Sequence, residues 1–418
     1  MKKTWLLGFG FFSISITWSL YNAFVPYFLD PYLKSTALIG FMMTLDNYFA
    51  LFLQPWIGHL SDKTQTRFGK RMPFLMLGMP AAALFVILIP LHTSFITLLL
   101  FMMLMNLSMS VYRSPTVALM PDITPDHQRT KANGIINFMG GFGGILAFGA
   151  GSVLYGANPS FPFIAAAAIT LISLWILTAA IKENRDVIVS LPAEKRPKIK
   201  LKGELDRTTV LLLAAIFFWF VSYQGVEALF TLYGKHYMGL TEKDAAFSLT
   251  FFSLFFVLFA IPSGWLGNRL GKRKTILAGV IGLFAVFAAV PFVDTVLLLR
   301  VLLALGGICW ALININSYPF VVSVGSEGSI GTRTGLYYLV SSLAAITSPP
   351  LLGLMIDQFG YRSLFICASA GMLLASCSSL WSGMTEKALP LTSRFRPKQI
   401  CKASYNRVPD VSGAFFCF

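Results

Sequence analysis

The chain has 418 residues, 56% of them apolar and only 12% charged, with a mean hydropathy of +0.70 and a formal net charge of +15. Soluble domains carry about 25% charged residues, so this composition excludes an ordinary water-soluble protein. The positive charge does not point to nucleic acid either, because the Lys and Arg residues sit in a few loops between long apolar runs.

The first of those runs extends from Trp5 to Leu29 behind Lys2 and Lys3, with no small-residue cleavage site. It is far longer than the roughly 7–15 residues of a signal-peptide core, and it predicts a membrane helix. Eleven more follow. Six spans are expected at 5–29, 36–60, 73–91, 94–120, 133–156 and 161–181, and six at 208–233, 245–267, 275–291, 295–323, 334–356 and 363–382. Each must be helical, since an open strand would leave backbone groups unsatisfied in lipid. The expected fold class is therefore an all-α membrane protein of twelve transmembrane helices in two pseudo-symmetric six-helix bundles.

With both termini on the same side, 27 of the 33 Lys and Arg residues fall on that side. The imbalance predicts a multi-pass protein of the cytoplasmic membrane with both ends in the cytosol. The segment 183–207 lacks apolar periodicity and reads as a cytosolic linker between a first bundle, 1–182, and a second, 208–382; a polar, basic tail occupies 383–418. Cys309, Cys367, Cys377, Cys401 and Cys417 show no paired spacing, so neither a disulfide framework nor a metal site is expected, and no cofactor.

Two segments about half a chain apart repeat one another. After the second span comes Gly58-His59-Leu60-Ser61-Asp62, and four residues later Arg67-Phe68-Gly69-Lys70-Arg71. After the eighth comes Gly264-Trp265-Leu266-Gly267-Asn268-Arg269-Leu270-Gly271-Lys272-Arg273. Pro115 and Arg129 recur 204 positions on as Pro319 and Arg333, while Asp122 recurs at 205 as Glu327. Glycines here allow close helix approach, and a carboxylate meeting a guanidinium makes a latch that breaks and reforms as one bundle rocks on the other. Asp62, Arg67, Asp122, Arg129, Arg269, Glu327 and Arg333 are the expected gating residues.

These segments resemble the signature loops of the major facilitator superfamily. The long form from Gly58 to Phe74 resembles that of sucrose- and maltose-type carriers and glycoside–cation symporters, as do Arg113-Ser114-Pro115 with Asp122, and Gly331 to Tyr338 with Asp357 to Arg362. The likeness covers residues 1 to about 382 and implies proton- or sodium-coupled uptake by alternating access. Two departures matter. Asn268 replaces the acid usual in the second loop, and Gln54 stands where sodium-coupled relatives place a carboxylate, which favours protons over sodium.

Ionisable groups inside spans cost about 2.5–3.5 kcal/mol on insertion scales and mark function. At about 1.5 Å per residue, Asp46 and Glu227 fall in the outer half of the bilayer and Arg113 roughly 10 Å deeper, so a direct Asp46–Arg113 pair is not expected. Two polar layers follow: Asn22, Asp46 and Glu227 outside; Gln54, Arg113 and Asn137 inside. Asn106, Ser110 and Arg113 share one helix face, and Trp219, Tyr223, Gln224 and Glu227 another; Trp310 pairs with Asn314. Amides beside aromatic faces suit a sugar. The expected substrate residues are Asn22, Gln54, Asn106, Arg113, Asn137, Trp219, Tyr223, Gln224 and Asn314, with Asp46 and Glu227 exchanging the coupling proton. The expectation is a monomeric secondary carrier of a sugar or glycoside in a lipid bilayer, without nucleic acid and without catalytic residues. The rival readings are an exporter of amphipathic molecules, a polytopic membrane enzyme, for which no reactive constellation is visible, and a non-transporting sensor.

Overall fold

The computed structural model describes residues 2–125, 128–183, 207–323 and 330–386. The expected linker and tail lie almost wholly outside these residues, as do Glu327 and the side chain of Arg129.

Thirteen α-helices run through the described residues: α1 Lys2–Leu29, α2 Thr36–Met43, α3 Leu45–Lys63, α4 Met72–Leu88, α5 Phe95–Ile123, α6 Arg129–Ala157, α7 Phe161–Ala180, α8 Arg207–His236, α9 Glu242–Leu270, α10 Lys272–Ala289, α11 Val296–Ser323, α12 Ile330–Phe359 and α13 Arg362–Glu386. They make twelve spans, because α2 and α3 are one span broken at Thr44. The sequence gives no warning of that break: no proline or glycine stands there. Helix starts follow local chemistry. Ser94 and Thr97 form a reciprocal capping box at α5, and the Thr241 side chain accepts the Asp244 N–H at α9.

Among the described residues, ten spans are long and apolar enough to cross a membrane. Of the other two, α1 falls short for a physical reason. Ser13, Ser15, Thr17, Ser19 and Asn22 dilute α1, which is nonetheless buried along nearly its whole length from Leu7 to Leu29. A helix sealed inside the bundle has no lipid to match. In α13 the described side chains form an apolar stretch over Arg362–Ser378. Helices at the periphery show the opposite pattern: Trp175 of α7 is 71% exposed and Ile261 of α9 84%.

The sequence repeat becomes a repeat of packing. In the first half α1 packs on α6 and α7, α3 on α5, and α4 on α5 and α7; in the second, α8 packs on α12 and α13, α9 on α11, and α10 on α11 and α13. The halves meet along α6–α9, α2–α12 and α1–α8. Glycines thin the α6–α9 seam, where a methyl at Gly149 would lie 3.5 Å from Thr250 Cγ2.

We call the end carrying Arg71 and Lys272 the basic end and the other the far end. The hydrogen bonds and ion pairs that join the halves, between described residues, sit in the middle or at the far end. Asn22 Nδ2 donates to Glu227 Oε1 at 3.4 Å, and the Tyr27 hydroxyl to the Thr231 carbonyl at 2.9 Å. Asp30 lies 3.2 Å from Lys235 Nζ and 2.8 Å from His236 Nε2, and the Tyr155 hydroxyl donates to Glu242 at 2.7 Å. The far end is closed.

Candidate functional site

A cavity of about 570 Å³ lies between the halves. It reaches from Asp46 and Glu227 down to Met120, Pro121 and Asn133 near the basic end. Six elements supply its polar wall. α1 contributes Asn22; α3 contributes Asp46, Asn47 and Gln54; α5 contributes Arg113 and Ser114; and α8 contributes Gln224 and Glu227. α6 adds Asn133, and α12 adds Tyr338, Ser341 and Ser342. The walls are amphipathic because helical spacing delivers only one face of each span to the dyad.

Within the wall, Asn47 Nδ2 donates to Asp46 Oδ1 at 3.0 Å, and Glu227 takes the Asn22 amide on one oxygen while Oε2 is buried without a hydrogen-bond partner. Both carboxyl groups are thus in the cavity on opposite halves. Arg113 lines the same space towards the basic end.

Six of the eleven residues expected to bind substrate or exchange a proton line the cavity: Asn22, Asp46, Gln54, Arg113, Gln224 and Glu227. The other five are elsewhere. Asn106 is fully buried in the first half, with neither amide atom hydrogen-bonded. Trp219 and Trp310 are core residues, and the Tyr223 ring stacks on Trp310 at 3.9 Å, so the aromatic platform expected for a sugar face is packed inside the second half. Asn137 and Asn314 are off the wall, Asn133 taking the place expected of its neighbour one turn on. The sequence reading missed the α12 stripe, although Tyr338, Ser341, Ser342, Ala345 and Pro349 follow helical spacing and mark one face.

The gating residues also redistribute. Arg71, not Arg67, is the hub of the first loop. Its side chain is only 6% exposed; Nε donates to Asp122 Oδ2 at 3.1 Å, and its other nitrogens bond Asp62, Ser61 Oγ and the Gly58 carbonyl. Arg67 is exposed and lies over the Phe68 ring. A residue the sequence did not single out completes the arrangement: Glu183 accepts the backbone N–H groups of Arg71 at 2.8 Å and Met72 at 3.0 Å, capping α4. Gly69 (φ +111°) makes room, since any side chain there would meet that carboxylate. In the second loop the counterpart is weaker: Lys272 Nζ donates to the Pro319 carbonyl at 3.2 Å, Arg269 lies over the Trp265 ring, and Arg333 is buried.

The sequence matches the Major Facilitator Superfamily over residues 7–251 and 236–406. An uncharacterised MFS-type transporter of Methanocaldococcus jannaschii is 24% identical over 84% of this chain and 88% of its own. Multidrug resistance protein 2 of Bacillus subtilis is 26% identical over 82% and 86%. In fold the chain is similar to a bacterial homologue of the human lysosomal transporter Spinster in its inward-facing, occupied conformation, with a TM-score of 0.73, 14% identity and coverage of 94% and 98%. It is similar also to the nucleoside transporter NupG, with a TM-score of 0.74, 13% identity and coverage of 91% and 99%. Two packed repeats around a shared polar cavity and a family match spanning both of them make the chain a multi-pass membrane transporter of the Major Facilitator Superfamily, and not an enzyme.

Proposed function

We propose that this chain is a secondary carrier of a sugar or glycoside, coupled to protons and working by alternating access, with its basic end in the cytosol and the cavity facing inward. One observation carries the reading: the cavity wall combines the amides of Asn22, Asn47, Gln54, Asn133 and Gln224 with two carboxyl groups on opposite halves. Amides give and accept hydrogen bonds, which is what an uncharged polyhydroxylated solute needs. The volume lies within the range of about 300–1,000 Å³ typical of small-molecule sites. Asp46 and Glu227 supply groups that can bind a proton, and the glutamine at position 54 leaves little formal charge for sodium.

A second reading draws on the name of the Bacillus subtilis relative and on the same two carboxyl groups, which suit an amphipathic cation: an exporter. Reconstituted protein separates them. Ligand binding read by tryptophan fluorescence across a panel of sugars, glycosides and lipophilic cations, followed by uptake under an imposed pH gradient, supports the first if neutral glycosides bind and accumulate. Binding confined to the cations refutes it.

A further inference from the structure

Two of the described residues lining the cavity are aromatic, and they come from opposite halves: Phe11 of α1 and Tyr338 of α12. Both helices start at the basic end, at Lys2 and Ile330. Counted from those starts at about 1.5 Å per residue, the two rings lie at nearly the same depth, roughly 12–14 Å in. Asp46, counted back from the end of α3 at Lys63, lies about 25 Å in, so roughly 12 Å of cavity separates it from the rings. That is the span of a sugar ring joined to one benzene ring.

The Tyr338 ring is held in place from behind. It lies 5.5 Å from the Tyr337 ring at 82° and 6.1 Å from the Tyr318 ring at 32°. Those two are themselves fixed, the Tyr337 hydroxyl 3.0 Å from Ser317 Oγ and the Tyr318 hydroxyl 3.1 Å from Thr334 Oγ1. A ring backed in this way is already ordered before anything binds, which removes part of the entropic cost of using it. Val117, Met120 and Ile136 extend the apolar surface at this depth, and the unbranched Met120 adapts to the shape of what it meets. Gln54 and Asn133 are the amides on this stretch of wall, polar partners for a substituent on a ring. At the other end Asn22, Asp46, Asn47, Gln224 and Glu227 offer donors and acceptors and no aromatic face.

We propose that the substrate is an aryl glycoside, lying along the cavity with its sugar among the amides and carboxyl groups and its aglycone ring between Phe11 and Tyr338. A free sugar or a disaccharide leaves the two rings against hydroxyl groups; a flat apolar aglycone matches their faces. Because one ring belongs to each half, a rocking motion that parts the halves also opens the aglycone's slot. The inference rests on the glycoside reading above and narrows it to one class.

The test uses full-length protein in lipid nanodiscs, free of glycoside detergents, and isothermal titration with methyl and phenyl glycosides of glucose and galactose in both anomers. In the parent, the phenyl glycoside is expected to bind about ten-fold or more tightly than the methyl glycoside of the same sugar. Tyr338→Leu and Phe11→Leu should each remove most of that advantage while leaving the methyl glycoside within about two-fold of the parent, and Tyr338→Phe should keep it. Equal affinities for methyl and phenyl partners in the parent overturn the inference and leave a sugar carrier standing. A loss shared equally by both ligands in the leucine variants also overturns it, since a merely structural role for the rings predicts that result. Binding of no glycoside refutes the transport reading and this inference with it. If Phe11→Leu does not fold, Tyr338→Leu against Tyr338→Phe decides alone: a loss confined to the phenyl glycoside supports the slot, and no loss or a uniform one refutes it.

Discussion

Replacing Arg71 by Met isolates the energetics of the basic-end latch. The side chain is 6% exposed, and its partner Asp122 is 17% exposed at 3.1 Å. Charge-assisted hydrogen bonds are worth about 1.5–3 kcal/mol each, and breaking one partner of a buried pair costs about 3–5 kcal/mol because a charge is left uncompensated. Lys70 Nζ, 3.6 Å from the same Asp122 oxygen, recovers part of that. A net loss of about 2–4 kcal/mol remains, which at roughly 2–4 °C per kcal/mol for a unit the size of one half lowers the melting temperature by about 4–16 °C. Arg67→Met, at an exposed guanidinium, should lower it by less than about 2 °C. Thermal unfolding of detergent-purified protein, followed by intrinsic fluorescence, measures both. Adding Asp122→Asn to Arg71→Met should restore part of the loss, since removing both members of a pair leaves no stranded charge. Equal shifts for Arg67→Met and Arg71→Met, or no rescue in the double variant, would refute the hub assignment.

Gly69→Ala should destabilise by about 1–3 kcal/mol, visible in the same melt, because φ of +111° is strained for a side chain and the new methyl strikes Glu183. Asp46→Asn and Glu227→Gln should each abolish accumulation driven by a pH gradient while leaving substrate counterflow between equilibrated compartments; loss of counterflow as well would assign them to binding. Asn106→Leu should raise stability by about 1 kcal/mol and leave ligand affinity unchanged, because the amide is buried, unbonded and off the cavity wall; a weakened affinity would put Asn106 back in the site.

The sequence by itself determined the number of spans, their helical state and the two-fold repeat. Each of these is a one-dimensional constraint: lipid thickness sets span length, the absence of water forces internal hydrogen bonding, and charges that resist burial collect in loops. Asp46, Glu227 and Arg113 were legible for the same reason, since an ionisable group among apolar neighbours is conspicuous in any fold. What only the tertiary structure decided depends on which helix faces which. Depth along a span can be counted in residues, but rotation about its axis is set by neighbours, so Trp219 and Tyr223 turned into the core and Asn314 away from the cavity wall, while Ser341 and Ser342 turned to the cavity. Arg67 and Arg71 are equivalent as charges in a loop; burial against Asp122 distinguishes them. Glu183 and Asp357 cap helices remote in sequence, and α2 packs on a helix more than three hundred residues away, contacts for which no local pattern exists.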